Sequence, residues 1–373
     1  MTPGSPDFSL RRVDFDDLPG WKEDDPAALF EGMRNCLAHI RSVKPYRTGS
    51  LGLTSDDMLA AYQAAPQGQI APDVARAFFE RNFQPFLIHR NHGMPGFVTG
   101  FYEPEVDVSD TPSDEWAFPF YRRPDDLIDL DDTNRPGSLD PSYMFGRRKD
   151  DGTLGEYPDR KAIDRGYLAG RGLEIAWARS RQDVFFTHVQ GAARLRFRNG
   201  QVRRITYAAK AGHPFSAIGK LLIERGEIDP AAVSMQTIRA WLTDNPKKVD
   251  EVLWHNRSYI FFKEADVGDD RLGPVAAAKV PLLPGRSLAV DRLIHTFGFP
   301  FFVHAPTLTH LDAGKPFGRT MLALDTGSAI VGPARGDIFT GSGDVAGEMA
   351  GTVRNEADFY ILVPQDAAAR FSA

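Results

Sequence analysis

Two aspartates near the C-terminal end carry the most chemistry this chain offers. Asp325 opens Asp325-Thr326-Gly327-Ser328-Ala329-Ile330, and Asp337 sits in Gly336-Asp337-Ile338-Phe339. An apolar strand and a glycine-rich turn between them would bring both carboxylates to one end of a sheet. Ile338 and Phe339 would desolvate the Asp337 carboxyl and raise its pKa, as a general acid requires. Spacing alone favours the simpler reading of two turn aspartates. The nine histidines are weaker candidates. His89 and His92 stand three apart, and His304, His310 and Asp312 form a loose group. Neither set has a recognised ligand spacing on an element that would hold it, so no metal is expected. No Gly-x-Ser-x-Gly elbow occurs. The single cysteine, Cys36, lies in a helical stretch and reads as a core thiol, without disulfide or metal role.

The elements that must position these acids change character along the chain. With 373 residues, 42% hydrophobic and 25% charged, the composition is that of a globular protein of two or three domains. A net charge of −6 gives no nucleic-acid or polybasic membrane footprint. No apolar run reaches the roughly 18 residues of a membrane span. The N-terminal segment lacks the pattern of a secretory signal, and Cys36 cannot serve as a lipid anchor. The first hundred residues read as helical. Leu29, Met33, Cys36 and Ile40 recur at helical spacing before Pro45, a second helix starts near Thr54, and Pro72 opens a third. From Gly96 to about Arg204 the pattern is short strands broken by Gly, Pro and Asp, with Asp107 to Arg148 mostly loop. Strands are expected at Asp183–Gln190, Ala193–Arg198 and Val202–Ala208, with Asn199-Gly200 as a hairpin turn. Helices follow at Ala217–Arg225, capped by Ser216 and closed by Gly226, then Ser234–Leu242 and Lys247–Trp254. Strands return at Ser258–Phe262, Met321–Leu324, Ala329–Val331 and Phe359–Val363. This order argues for α+β or β-barrel layers over a doubly wound parallel sheet.

Six ordered blocks carry a family resemblance. They are Phe97 to Glu105 (FVTGFYEPE), Phe185 to Gly191 (FFTHVQG), Gly212 to Gly219 (GHPFSAIG), Asn256 to Phe262 (NRSYIFF), Ser287 to Asp291 (SLAVD), and Asp325 to Phe339. In sequence and order they resemble the membrane-bound lytic murein transglycosylase A family, over about residues 96 to 364. The resemblance implies a mainly β fold with α (α+β). Residues 1–103 plus 263–373 would form a double-psi β-barrel catalytic domain with N-terminal helices. Residues 104–262 would form an inserted β-rich substrate-binding domain, with a groove between the two.

The resemblance also implies the reaction. Family members cleave the bond between N-acetylmuramic acid and N-acetylglucosamine in peptidoglycan without water, leaving 1,6-anhydromuramoyl ends. One carboxyl suffices: it protonates the leaving oxygen, then takes the proton of the sugar's own C6 hydroxyl as that oxygen attacks. Asp337 aligns with the catalytic aspartate. Asp325 and Asp291 complete the family's three-aspartate pattern in supporting roles. A second competent acid at Asp325 would instead permit hydrolysis, and a non-catalytic glycan-binding module is the reading from another class. Thr99, Gly100, Tyr102 and Glu103 would line the substrate site, with Tyr102 equally readable as core. Gln190 and Gly191 would recognise an acetamido group, and Ser287 would contact substrate. Lys220 reads as a solvated residue. No cofactor or metal is implied. The partners implied are glycan strands of peptidoglycan and cell-wall synthesis or division complexes, not nucleic acid, on the periplasmic, outer-membrane side of the envelope. Ala192, Ala193 and Ala211 depart from the family, which favours a small hydroxyl residue, Gly and Asn at those places. Phe101 departs too, standing where Tyr is commoner.

Overall fold

A computed structural model describes residues 8–91, 93–265 and 268–371, so His92 lies outside the described residues. The chain divides into two compact units, Met1–Tyr102 with Val267–Ala373, and Glu103–Asp266.

The first unit begins with strand β1 (Phe8–Arg12). Helix Leu29–Ser42 follows a turn in which Asp25 accepts a hydrogen bond from the Ala27 N–H and Pro26 takes the first position. Its Leu29, Met33 and Cys36 side chains are buried, as their spacing predicts, with Phe30 beside them, while Ile40 is only part-buried. Leu59–Ala64 and Pro72–Asn82 are the second and third helices. The all-helical reading of this region fails at both ends. β1 pairs with β2 (Phe83–Arg90), which starts directly after the third helix and precedes β3 (Gly96–Glu103).

The second unit holds β4 (Glu105–Ser109), β5 (Phe118–Tyr121), β6 (Leu127–Asp129), β7 (Phe145–Arg148), β8 (Leu154–Gly155), β9 (Glu174–Ala178), β10 (Ala192–Phe197), β11 (Val202–Lys210) and β12 (Ile260–Glu264). They form a six-stranded sheet in the order β12-β11-β10-β4-β9-β5 and a small sheet β6-β7-β8. A bridge from Arg122 to Phe262 brings the two edge strands of the larger sheet together. Asn199-Gly200 turns β10 into β11, with Gly200 at φ +83°. Helices Ile218–Glu224, Met235–Asp244 and Val249–His255 bury Leu222, Leu242 and Leu253 with Phe185 and Phe186 in one cluster. Ser234, expected as the first helical residue, is the cap of Met235–Asp244, and Ala217 replaces Ser216 as the cap residue before Ile218.

One element here is of the wrong type in the sequence reading. Residues Arg181–Gln190 form a helix, where a strand over Asp183–Gln190 is expected. The run Val184 to His188 is buried throughout, so no solvent face imposes a helical period. The termini decide the structure instead. Ser180 accepts a hydrogen bond from the Asp183 N–H at one end, and Gly191 at φ +79° closes the other.

The chain then returns to the first unit with β13 (Ser287–Val290), β14 (Pro300–Ala305), β15 (Phe317–Asp325), β16 (Arg335–Ser342) and β17 (Arg354–Pro364). The eleven-residue β17 reaches three neighbours, pairing β3 through Arg354 to Ala357 and both β14 and β2 through its later residues. The circuit β3-β17-β14-β15-β13-β16 therefore returns to β3 and closes. Closure leaves those six strands without a free edge. β13 and β15 run parallel, and Leu288, Val303, Leu322 and Ile361 are buried in the core of this unit. The Ala329–Val331 segment, expected as a strand, is turn between β15 and β16.

Candidate active site around Asp337

Asp325 ends β15 and Asp337 is the third residue of β16, yet these two strands do not pair with each other. β13 lies between them, and its Ala289 stands opposite Asp325 on one side and Asp337 on the other. Cross-strand partners share a face, so both carboxyls project from the same side of the sheet. Two strand spacings put their Cα atoms roughly 10 Å apart. A bulge creates this row: Leu288 pairs with Ala323 and Ala289 with Asp325, so Leu324 is skipped. Without it, Leu324 would stand in the row and Asp325 would face the other way.

Asp337 is part-buried, and enclosure by the surrounding protein pushes its pKa up to about 6. Two neighbours oppose that shift, the Thr99 hydroxyl and the Arg335 guanidinium. Thr99 Oγ1 donates to Asp337 Oδ1 at 2.5 Å and accepts from Arg335 Nη2 at 2.8 Å. Arg335 also donates to the Gly336 carbonyl and lies 5.5 Å from the centre of the Phe97 ring. With its oxygen facing Arg335, the Thr99 proton is directed at Asp337. Asp337 Oδ2 has no hydrogen-bond partner among the described residues and is the oxygen that can carry a transferable proton. Arg335 escaped the sequence reading, although it stands two residues before Asp337, a spacing that puts both on one face of a strand.

Asp325 is likewise pushed up to about 6, mainly by enclosure and also by the charge of Asp337. The Thr326 and Ala277 N–H groups and the Lys279 charge hold it down, Ala277 donating to Oδ1 at 3.2 Å. Asp291 is different in kind. Its Oδ1 accepts from the Leu293 N–H at 3.0 Å and its Oδ2 from the Gly332 N–H at 2.8 Å. It thus ties the turn after β13 to the loop before β16.

The other expected site residues separate into those beside the acid and those with structural duties. Thr99 touches the acid. Gly100 packs against helix Gly343–Thr352, where an added Cβ would lie 2.8 Å from Ala350 Cα. Tyr102 is buried, its ring within 3 Å of where a Gly347 Cβ would sit, which supports its reading as core. Ser287 is fully buried and accepts a hydrogen bond from the Leu283 N–H at 2.7 Å, so it fixes a turn and reaches no substrate. Glu103 corrects the sequence reading too. Its carboxylate is fully buried and paired with Arg194 at 3.0 Å and Arg204 at 3.1 Å, leaving no surface for a sugar. Gln190 is part-buried at the end of its helix, and Gly191 has open space where a side chain would be. Ala192, Ala193 and Ala211 are buried, so each acts as a packing residue in the second unit.

Cys36 is buried and its thiol is pushed up to about 12 by burial. His310 is hydrogen-bonded to Thr352, Asp312 is paired with Arg319, and Lys220 is exposed beside Glu224. No group of His, Cys, Asp or Glu able to hold a metal ion is present among the described residues.

A closed strand circuit bearing a protonatable aspartate, interrupted by an inserted β-rich unit, defines a class that comparison with known proteins identifies. The MltA specific insert domain family matches residues 97–263, and the 3D domain family matches residues 286–363. The chain belongs to the membrane-bound lytic murein transglycosylase A family. A crystal structure of membrane-bound lytic murein transglycosylase from Agrobacterium tumefaciens is 64% identical, superposes with a TM-score of 0.92, and is matched over 98% of this chain and 100% of that one. The Escherichia coli K12 protein named membrane-bound lytic murein transglycosylase A is 33% identical over 279 residues. That match takes in 73% of this chain and 66% of the E. coli protein, just under two thirds of its length. E. coli MltA with bound chitohexaose is 25% identical with a TM-score of 0.68, over 97% of this chain and 96% of that one. No described helix is long and apolar enough to cross a membrane.

Proposed function

We propose that this chain is a lytic transglycosylase of peptidoglycan that uses Asp337 as both general acid and general base. The observation that carries the assignment is the Arg335–Thr99–Asp337 chain. It occupies Oδ1 from the protein side and leaves Oδ2 for the substrate. Protonated Oδ2 gives its proton to the glycosidic oxygen between N-acetylmuramic acid and N-acetylglucosamine, and positive charge develops at the anomeric carbon. The carboxylate so formed is stabilised by the Thr99 hydrogen bond and by the Arg335 charge. It then removes the proton of the muramoyl C6 hydroxyl as that oxygen closes on the anomeric carbon. Bond cleavage and ring closure consume no water and return Asp337 to its protonated state.

Asp325 has a supporting role in this scheme. The charge of Asp337 raises its proton affinity, and its side-chain Oδ1 is held in place by the Ala277 N–H. Murein lies in the cell envelope, so the site of action is periplasmic. The deciding experiment is digestion of purified sacculi followed by mass analysis of the muropeptides. Anhydro ends are expected. Products one water heavier would make Asp325 the second carboxylate of a hydrolase. Asp337→Asn should retain the fold and lose about 10²–10⁴-fold in turnover, the usual worth of one acid–base group.

A further inference from the structure

The second unit contains a cavity of about 290 Å³ whose walls include Tyr121, Glu174, Trp177, Arg181 and Tyr259. It opens at the beginning of helix Arg181–Gln190. Gln190 and Gly191 lie at the other end, about 15 Å away at 1.5 Å per residue.

A β-bulge shapes this cavity. Between β5 and β9, Phe120 pairs with Ala176 and Tyr121 with Glu174, so Ile175 is the extra residue. Ile175, Ala176 and Phe120 are buried in the core of the sheet. Glu174 and Trp177 are thereby turned to the opposite face with Tyr121 and Pro119. A regular strand would put Glu174 and Trp177 on opposite faces.

The charges of the wall are unevenly matched. Arg181 pairs with Asp164 at 3.1 Å and Asp250 at 2.9 Å, and Asp164 also accepts from Trp254 Nε1 at 3.0 Å. The Glu174 carboxylate has no hydrogen bond or ion pair among the described residues. Neither do the hydroxyls of Tyr121 and Tyr259 have a hydrogen-bond partner there. Both tyrosines are almost completely buried, with ring centroids 6.4 Å apart. The cavity thus offers one uncompensated negative charge, two hydroxyl oxygens and an indole face. A primary ammonium has three N–H donors and no acceptor, which that set of three acceptors matches. The indole adds cation–π attraction. The volume is at the small end for a ligand site, suited to one aliphatic chain rather than an oligosaccharide.

We propose that this cavity is a binding site for a primary ammonium on a short aliphatic chain, of the kind a lysine-type side chain of a peptide presents. The site is built by the second unit alone and does not depend on the assignment of Asp337. The test labels the intact protein with 5-fluorotryptophan, assigns the Trp177 signal with Trp177→Phe, and titrates Nα-acetyl-lysine methylamide. The Trp177 resonance should move and saturate. The same probe acetylated at Nε should leave it in place, and Glu174→Gln should weaken the titration at least tenfold. Ala169→Phe, which narrows the cavity without changing charge, should do the same if Glu174→Gln does not fold. A stationary Trp177 signal, an equal response to the acetylated probe, a response to N-acetylglucosamine in place of the amine, or unchanged affinity in both variants would overturn the assignment.

Discussion

Thr99 and Arg335 decide how Asp337 titrates. Both favour the charged carboxylate, whereas enclosure favours the protonated form and prevails, leaving the pKa at about 6. The first half of the reaction needs the proton present, so kcat/KM should fall tenfold per pH unit above about pH 6. Thr99→Val removes a hydrogen bond made to the charged form, so the Asp337 pKa must rise and the falling limb must move to higher pH. A pH profile of sacculus digestion measures this. A limb that stays in place while turnover drops would make Thr99 a substrate contact. In the sequence Asp337 stands out through the family resemblance, with Ile338 and Phe339 expected to enclose it; on β16 Phe339, two residues on, shares its face, whereas Ile338 faces the other way. Glu103 and Ser287 were misread for a related reason. The Arg194 and Arg204 partners that absorb Glu103 stand about a hundred residues later, and the fold alone brings them together.

Elements aim these residues through irregularities that composition does not record. The skipped Leu324 turns Asp325 into the row of Asp337, and the extra Ile175 turns Glu174 and Trp177 into a common wall. Helices were recognised where they expose a polar face, as at Leu29–Ser42, and missed where both faces are covered, as at Arg181–Gln190. There the caps Ser180 and Gly191 were the available signal. β2 was hidden because it follows a helix with no turn residue between, Asn82 passing straight to Phe83. Gly100 illustrates how closely one element constrains another. It lies next to Thr99 on β3, and helix Gly343–Thr352 fills the place its side chain would take, with Ala350 Cα at 2.8 Å and Ala350 O at 3.0 Å from an added Cβ. Backbone atoms cannot swing aside as a side chain would. Gly100→Ala is therefore expected to cost about 1–3 kcal/mol, read as a lower urea midpoint at unchanged slope. An unchanged midpoint would show that the helix can retreat from β3.

Across the whole molecule, the chain leaves one unit and returns to it, and the order of textures along the sequence already reflected that path. The largest buried cluster is drawn from Val13 to Phe101 and from Leu272 to Ala368. The clusters around Val108, Tyr157 and Leu222 draw only on residues between Val106 and Phe262. The second unit thus owns its apolar core and its cavity, and its chain is continuous from Glu103 to Asp266. Its length falls within the range in which a single core supports independent folding. Glu103 belongs with it, since the carboxylate is needed to neutralise Arg194 and Arg204, and removing one member of a buried ionic set costs about 3–5 kcal/mol. Residues 103–266 produced alone should give a dispersed NMR spectrum and one cooperative thermal transition. The same piece beginning at residue 104 should melt at a markedly lower temperature. Neither piece should release muropeptides, because Asp337 and its partners Thr99 and Arg335 lie outside it. A broad, non-cooperative melt of the longer piece would mean that the insert draws its order from the strands it interrupts.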